Sequence, residues 1–217
     1  MDVAAPAGAM VTGTLCKTMS VGRVQVAVGI YAAFAGVAMV WRELQGASAW
    51  HDGAPLGTTH AIAIPAALSL GALTGVVGVW ASRVVVRSTR WGGGLRDALR
   101  EALLGMSRSP SSLALLALSA AVGEELFFRG ALLPSLVGSL GVVGASVASS
   151  LAFGLLHVPW NRQLVPWTIT AAAMGFVFAG LYLVTGEVLA PIAAHAVINH
   201  ENLHFLLQKE PNGRVRV

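Results

Sequence analysis

The chain is built around stretches of about 20 mostly apolar residues, the length a helix needs to cross the hydrocarbon core of a bilayer. Residues 21–41 provide the first, with Arg23 near its entry, and residues 60–81 the second. Pro65 either kinks that second helix or marks its first turns. Residues 111–133, 142–157, 165–185 and 188–207 provide four more. The fourth is short and rich in Gly, Ala and Ser, so a re-entrant insertion is an alternative to a full span. Pro191 suits the early turns of the sixth. Composition agrees: 11% of residues are charged, where soluble domains carry roughly 25%. Many of the 25 glycines fall inside apolar runs, which suits helices packed closely in lipid. The expected fold is all-α, a polytopic transmembrane bundle of about six spans.

The formal net charge is +4, and its placement says more than its size. Six arginines lie from Arg83 to Arg108. Their apolar flanks speak against a nucleic-acid face, and lipid headgroup contact and topology explain them better. Lys17 and Arg23, Arg162, and Lys209, Arg214 and Arg216 fall on the same side of a six-span layout. The loops on the other side hold only Arg42 or no basic residue. The positive-inside rule then puts both termini in the cytoplasm of a bacterial inner or plasma membrane. The basic stretch 82–109 reads as a loop with an interfacial helix. Its WGGGLRD lacks the lysine and spacing of a phosphate loop and reads as a bend before that helix. Cys16 stands alone, so no intrachain disulfide forms. No basic region precedes a signal-like apolar run, so no cleavable signal peptide is expected. Three regions result: residues 1–110 with two spans and the basic loop, residues 111–207 with the polar motifs, and a polar tail, 208–217, expected to fray.

Ionisable groups at membrane depth are costly and usually functional. Three sets interrupt the apolar helices of the second region: GEELFFRG with Glu124, Glu125 and Arg129; FGLLH with Phe153 and His157; HAVIN with His195 and Asn199. Glu125 and Arg129 are four apart on one helix face, and burial drives such a pair together. Glu124 lies about 100° round the helix and can face a cavity while its neighbour is held. A buried carboxylate there can act as general base for water. His195 and Asn199 also share a face, and an imidazole and an amide can both donate to a forming oxyanion. A structural reading stands beside the catalytic one, because ion networks and polar seams also join membrane helices.

In order and spacing these residues resemble the CAAX protease and bacteriocin-processing enzyme family (CPBP, or Abi) of intramembrane proteases. That family's pattern is EExxxR, FxxxH, then HxxxN or HxxxD on successive helices. Here it reads Glu124-Glu125-Leu126-Phe127-Phe128-Arg129, Phe153-Gly154-Leu155-Leu156-His157, and His195-Ala196-Val197-Ile198-Asn199. The resemblance covers about residues 111–207. It implies a membrane-embedded endopeptidase acting on a membrane-anchored or lipidated peptide or protein. By that analogy Glu124 and His157 activate water, and His195 and Asn199 form the oxyanion hole. Glu125, Arg129 and Phe153 support them. No cofactor is required on this reading, although Glu124, His157 and His195 could supply a zinc set. Expected partners are membrane lipid and the membrane-bound substrate, with no nucleic acid.

Three alternatives compete. HENLH, His200 to His204, matches the zinc-protease pattern HExxH, with Glu201 as base. A third ligand is then needed, and only Glu210 follows. Helix geometry also turns His200 and His204 about 140° and 180° away from His195, so one cavity can hardly receive both sets. A non-proteolytic immunity or adaptor protein would use the same polar residues as a structural network. A transporter would need paired inverted repeats, and none is visible.

Overall fold

The computed structural model describes residues 8–50, 62–88, 92–103, 109–158 and 162–207. Its elements are α1 (Gly8–Leu44), α2 (Ile64–Ser88), α3 (Gly92–Ala102), α4 (Pro110–Glu125), a π-helical segment (Leu126–Leu132), α5 (Leu133–Leu155), a 3₁₀ turn (Arg162–Leu164), α6 (Val165–Thr185) and α7 (Leu189–Leu207). No strand occurs among the described residues. The expected tail at 208–217 lies outside them.

Four stretches are long and apolar enough to cross a membrane: Gly22–Leu44, Ile64–Ser88, Pro110–Leu155 and Val165–Thr185. The protein is an integral membrane helix bundle. The 46-residue stretch contains both the third and the fourth expected spans. The helix continues past residue 133, where the sequence pattern alone would end it, and doubles back at Gly141. There φ is 68°, a conformation open to glycine because it has no Cβ. The returning half packs on the outgoing one: Ser149 Oγ donates to Phe128 O at 3.0 Å. α7, the sixth expected span, is less apolar because it carries His195, Asn199, His200, Glu201, Asn202 and His204.

Two boundaries differ from expectation. α2 runs from Ile64 to Ser88, later at both ends than 60–81. Pro65 sits in its first turn, where the missing N–H breaks no helical bond. The glycines of WGGG are not a bend; Gly92 and its neighbours form the first turn of α3. The chain comes so close there that a side chain at Gly92 would meet the Val86 backbone. That proximity explains why glycine is used despite a helix cost of about 1 kcal/mol.

α7 is the central element, packed against α2, α4 and α6. Ala67, Gly71, Gly75 and Gly78 recur along the α2 face that meets it. Small residues let helix backbones approach in lipid, where no hydrophobic force drives them together. A Cβ placed on Gly75 would stand 2.8 Å from both Ala194 O and Val197 Cβ. With α2 seated this closely, α7 buries Ala190, Pro191, Ile192, Ala194 and His195, and His195 is left facing α4.

Gly75→Val is expected to lower unfolding stability in detergent micelles by about 1–3 kcal/mol, the usual effect of overpacking. Gly29→Val has open space around the new side chain and should leave the unfolding midpoint in place. Equal midpoints for the two variants would contradict the close α2–α7 seam.

Candidate functional site

The site begins where α4 changes its hydrogen-bond register. Glu124 and Glu125 end α4, about 22 Å along the helix from Pro110 by the rise of 1.5 Å per residue. From Leu126 to Leu132 the chain is π-helical, a geometry found mostly as short bulges at functional sites. The Leu133 N–H reaches back to Phe128 O, and the same carbonyl accepts Ser149 Oγ. Arg129 lies inside this segment. Its Nη1 stands 3.2 Å from Glu125 Oε1 and 3.0 Å from Oε2, so the expected pair forms. Nη2 donates to Gly175 O on α6 at 2.8 Å. The guanidinium lies 4.7 Å from the Phe153 ring centroid, 5.5 Å from Phe178 and 5.7 Å from Phe128. Both charges are fully buried, and each therefore depends on the other.

Glu125 makes a second bond that sequence spacing does not reveal. His195 Nδ1 donates to Glu125 Oε1 at 2.8 Å. Because a carboxylate accepts, Nδ1 carries the hydrogen, and neutral His195 presents its lone pair at Nε2. That nitrogen lies 3.9 Å from Glu124 Oε2. Glu124 Oε2 is buried and has no hydrogen-bond partner among the described residues. Phe178 stacks on the His195 ring at 5.0 Å and 18°, fixing the ring plane.

His157 arrives from the end of α5. Its Nδ1 donates to Phe153 O at 2.8 Å, leaving Nε2 as the basic nitrogen of the neutral ring. Its carbonyl accepts Thr168 Oγ1 at 2.6 Å, and Trp167 meets its ring edge-on at 5.0 Å. Phe153 fills the space between the parts, 4.9 Å from His157 and 5.8 Å from His195 by ring centroids. Glu124 lies within electrostatic reach of His157, His195, Glu125 and Arg129. Asn199, one turn beyond His195, is half-buried. Residues from α4, the π segment, α5, α6 and α7 thus converge on one buried carboxylate.

HENLH lies elsewhere. His200 Nδ1 contacts Glu201 Oε1 at 3.3 Å, and the two side chains are 40% and 53% exposed. His204 stacks beside His200 at 4.6 Å. No three His, Cys, Asp or Glu side chains among the described residues stand as a metal-ligand group, neither these nor Glu124, His157 and His195. Sequence reasoning did not find Phe178, Gly175 and Ser149. Phe178 and Gly175 are apolar positions on an apolar helix, and a backbone carbonyl acceptor leaves no mark in side-chain spacing. Tyr31 of α1 also lies within electrostatic reach of Glu124, and no motif points to it.

Comparison with known proteins falls on this same segment. Residues 107–200 match the family model described as type II CAAX prenyl endopeptidase Rce1-like. A Bacillus subtilis (strain 168) protein named "Putative membrane peptidase YdiL" is 33% identical over 88 residues. That alignment covers 41% of this chain and 33% of the relative, so the chain spans about a third of that protein's length. No solved structure matches significantly.

Arg129→Ala leaves Glu125 buried without its cation and is expected to destabilise the protein by about 3–5 kcal/mol. The double variant Glu125→Leu/Arg129→Met removes both charges and should recover much of that loss. Unfolding midpoints in micelles measure both. A double variant as unstable as Arg129→Ala would contradict the dependence of each charge on the other.

Proposed function

We propose, from the match of residues 107–200 to the type II CAAX prenyl endopeptidase Rce1-like family model, that the chain is an intramembrane endopeptidase. Its substrate on this reading is a membrane-associated or lipidated peptide or protein. One observation carries the proposal: the buried Glu124 carboxylate, with His195 Nε2 3.9 Å from its Oε2, lies within electrostatic reach of histidines from two other helices. A carboxylate and two imidazoles so placed can take a proton from one water.

A water held between the Glu124 carboxylate and His157 Nε2 loses a proton to this pair as its oxygen attacks the peptide carbonyl. The carbonyl oxygen gains negative charge and accepts hydrogen bonds from the Asn199 amide and from His195 Nε2 when that ring carries both protons. Glu125 holds the other His195 nitrogen, and Arg129 holds Glu125. The tetrahedral intermediate collapses, the C–N bond breaks, and the proton taken from water passes to the leaving amine. Glu125, Arg129, Phe153 and Phe178 act by positioning. The basic stretches favour an orientation with both termini in the cytoplasm.

No step of this mechanism runs through a metal ion. The bonds from Nδ1 of His195 to Glu125 and from Nδ1 of His157 to Phe153 O hold the two rings, and among the described residues no three His, Cys, Asp or Glu side chains stand as a metal-ligand group.

Purified protein in proteoliposomes with a cleavable membrane peptide tests the assignment. Glu124→Ala and His157→Ala should each lower turnover by about 10²–10⁴-fold, and Asn199→Ala by about 10²–10³-fold. Glu201→Ala and His204→Ala should cleave like the parent. Unchanged turnover in Glu124→Ala would falsify the proposal. A second measurement addresses metal: exhaustive chelation should leave turnover unchanged, and loss of activity restored by zinc would show that an ion takes part.

A further inference from the structure

α1 lies outside the segment that matches the family model, yet one of its side chains turns toward the site. The buried face of this helix runs through Val24, Ala35, Ala38 and Arg42. At about 100° per residue, all four lie within about 40° of Tyr31 round the helix. Tyr31 therefore stands in the middle of that face. Exposed Val26, Ile30, Val37 and Val40 fall about 100–180° away, on the side turned to lipid. Tyr31 is thus aimed into the bundle, where α1 packs on α4 and the π segment.

The crossing of the two helices sets what the phenol can reach. A Cβ placed on Gly123 would run into the Tyr31 carbonyl and stand 3.0 Å from Tyr31 Cα. The backbones of α1 and α4 therefore meet one residue before Glu124. Phe34, one turn on, meets the Phe127 ring edge-on at 5.2 Å, and Ala35 and Ala38 share a core with Ala121 and Leu126. These contacts fix the rotation of α1 from both sides of Tyr31. From there Tyr31 lies within electrostatic reach of the Glu124 carboxylate. Tyr31 is also near the middle of the apolar stretch Gly22–Leu44. Lipid offers a hydroxyl no partner at that depth, so its partner must come from within the bundle.

We propose that Tyr31 is a positioning residue of the site, its hydroxyl donating to the Glu124 carboxylate once substrate is bound and holding that carboxylate toward the water it activates. A phenol is both donor and acceptor, and toward a carboxylate it donates. Hydrogen bonds of this kind often tighten only in the substrate complex. The role rests on the peptidase reading of Glu124, whereas the pairing of Tyr31 with Glu124 does not.

Tyr31 and Tyr182 are the two tyrosines of the chain, so fluorine-labelled tyrosine gives each its own NMR resonance in the full chain in micelles. Tyr31→Phe assigns them. Glu124→Gln should move the Tyr31 resonance and leave that of Tyr182, which lies within reach of Arg42 and Glu187 instead. Glu187→Gln should do the reverse. In the peptide-cleavage assay, Tyr31→Phe keeps the ring and loses only the hydroxyl. It should hold the unfolding midpoint and KM of the parent and lower kcat about 10–100-fold, the loss expected for one hydrogen bond to a charged group. A Tyr31 resonance indifferent to Glu124→Gln overturns the pairing and the proposal with it. Parent-like kcat in Tyr31→Phe, or a change confined to KM, overturns the role. A parent without turnover whose Tyr31 resonance still answers to Glu124→Gln defeats the peptidase reading, and the role with it, but upholds the pairing.

Discussion

The buried ion pair between Glu125 and Arg129 is the constraint on which the rest of the bundle depends. A fully buried guanidinium in a membrane protein needs a counter-charge, further acceptors and a polarisable surround. Glu125 supplies the first, Gly175 O the second, and the rings of Phe128, Phe153 and Phe178 the third. Those groups come from the π segment, α5 and α6, so satisfying one side chain ties three elements to the end of α4. His195 adds α7 through its bond to the same carboxylate. Glu125 is therefore shared between the cation that holds the bundle and the imidazole that faces Glu124.

Two neighbouring carboxylates consequently have different surroundings. Glu125 is engaged by both Arg129 and His195. Glu124, one residue earlier, has His195 Nε2 at 3.9 Å and an oxygen without a partner among the described residues. The helical turn of about 100° between them suffices to give the two acids different neighbours. The aromatic groups keep the imidazole rings in fixed planes: Phe178 stacks on His195, and Phe153 and Trp167 meet His157. Close contact of α2 with α7 serves the same end from behind: Gly71 and Gly75 remove the slack that larger residues would introduce.

Much of this is legible in the sequence because bilayers impose simple rules. Apolar length locates the helices, and costly charges within them mark Glu124, Glu125, Arg129, His157 and His195. Four-residue spacing pairs Glu125 with Arg129, and the same arithmetic turns His200 and Glu201 away from His195. Other features leave no such trace. Nothing in LFFRGAL distinguishes i→i+5 from i→i+4 bonding, and the Ser149 hydroxyl that shares the Phe128 carbonyl comes from the returning helix. The WGGG glycines read as a bend when their cost is considered alone, yet they open α3, and the Val86 backbone leaves no room for a side chain at Gly92. Phe178 is one more apolar residue of α6 until α7 lays His195 against it.

The sequence by itself determined that this is a membrane helix bundle, which residues are too polar to face lipid, and the order in which the three polar motifs occur. These are consequences of hydropathy and helical periodicity, properties of each segment alone. Only the tertiary structure decided which polar residues meet. It made Glu125 the common partner of Arg129 and His195, set His195 beside Glu124, and left the His200 and Glu201 side chains partly exposed. Such choices depend on how closely helices approach and on which carbonyls remain available, and both are properties of pairs of segments distant in the chain.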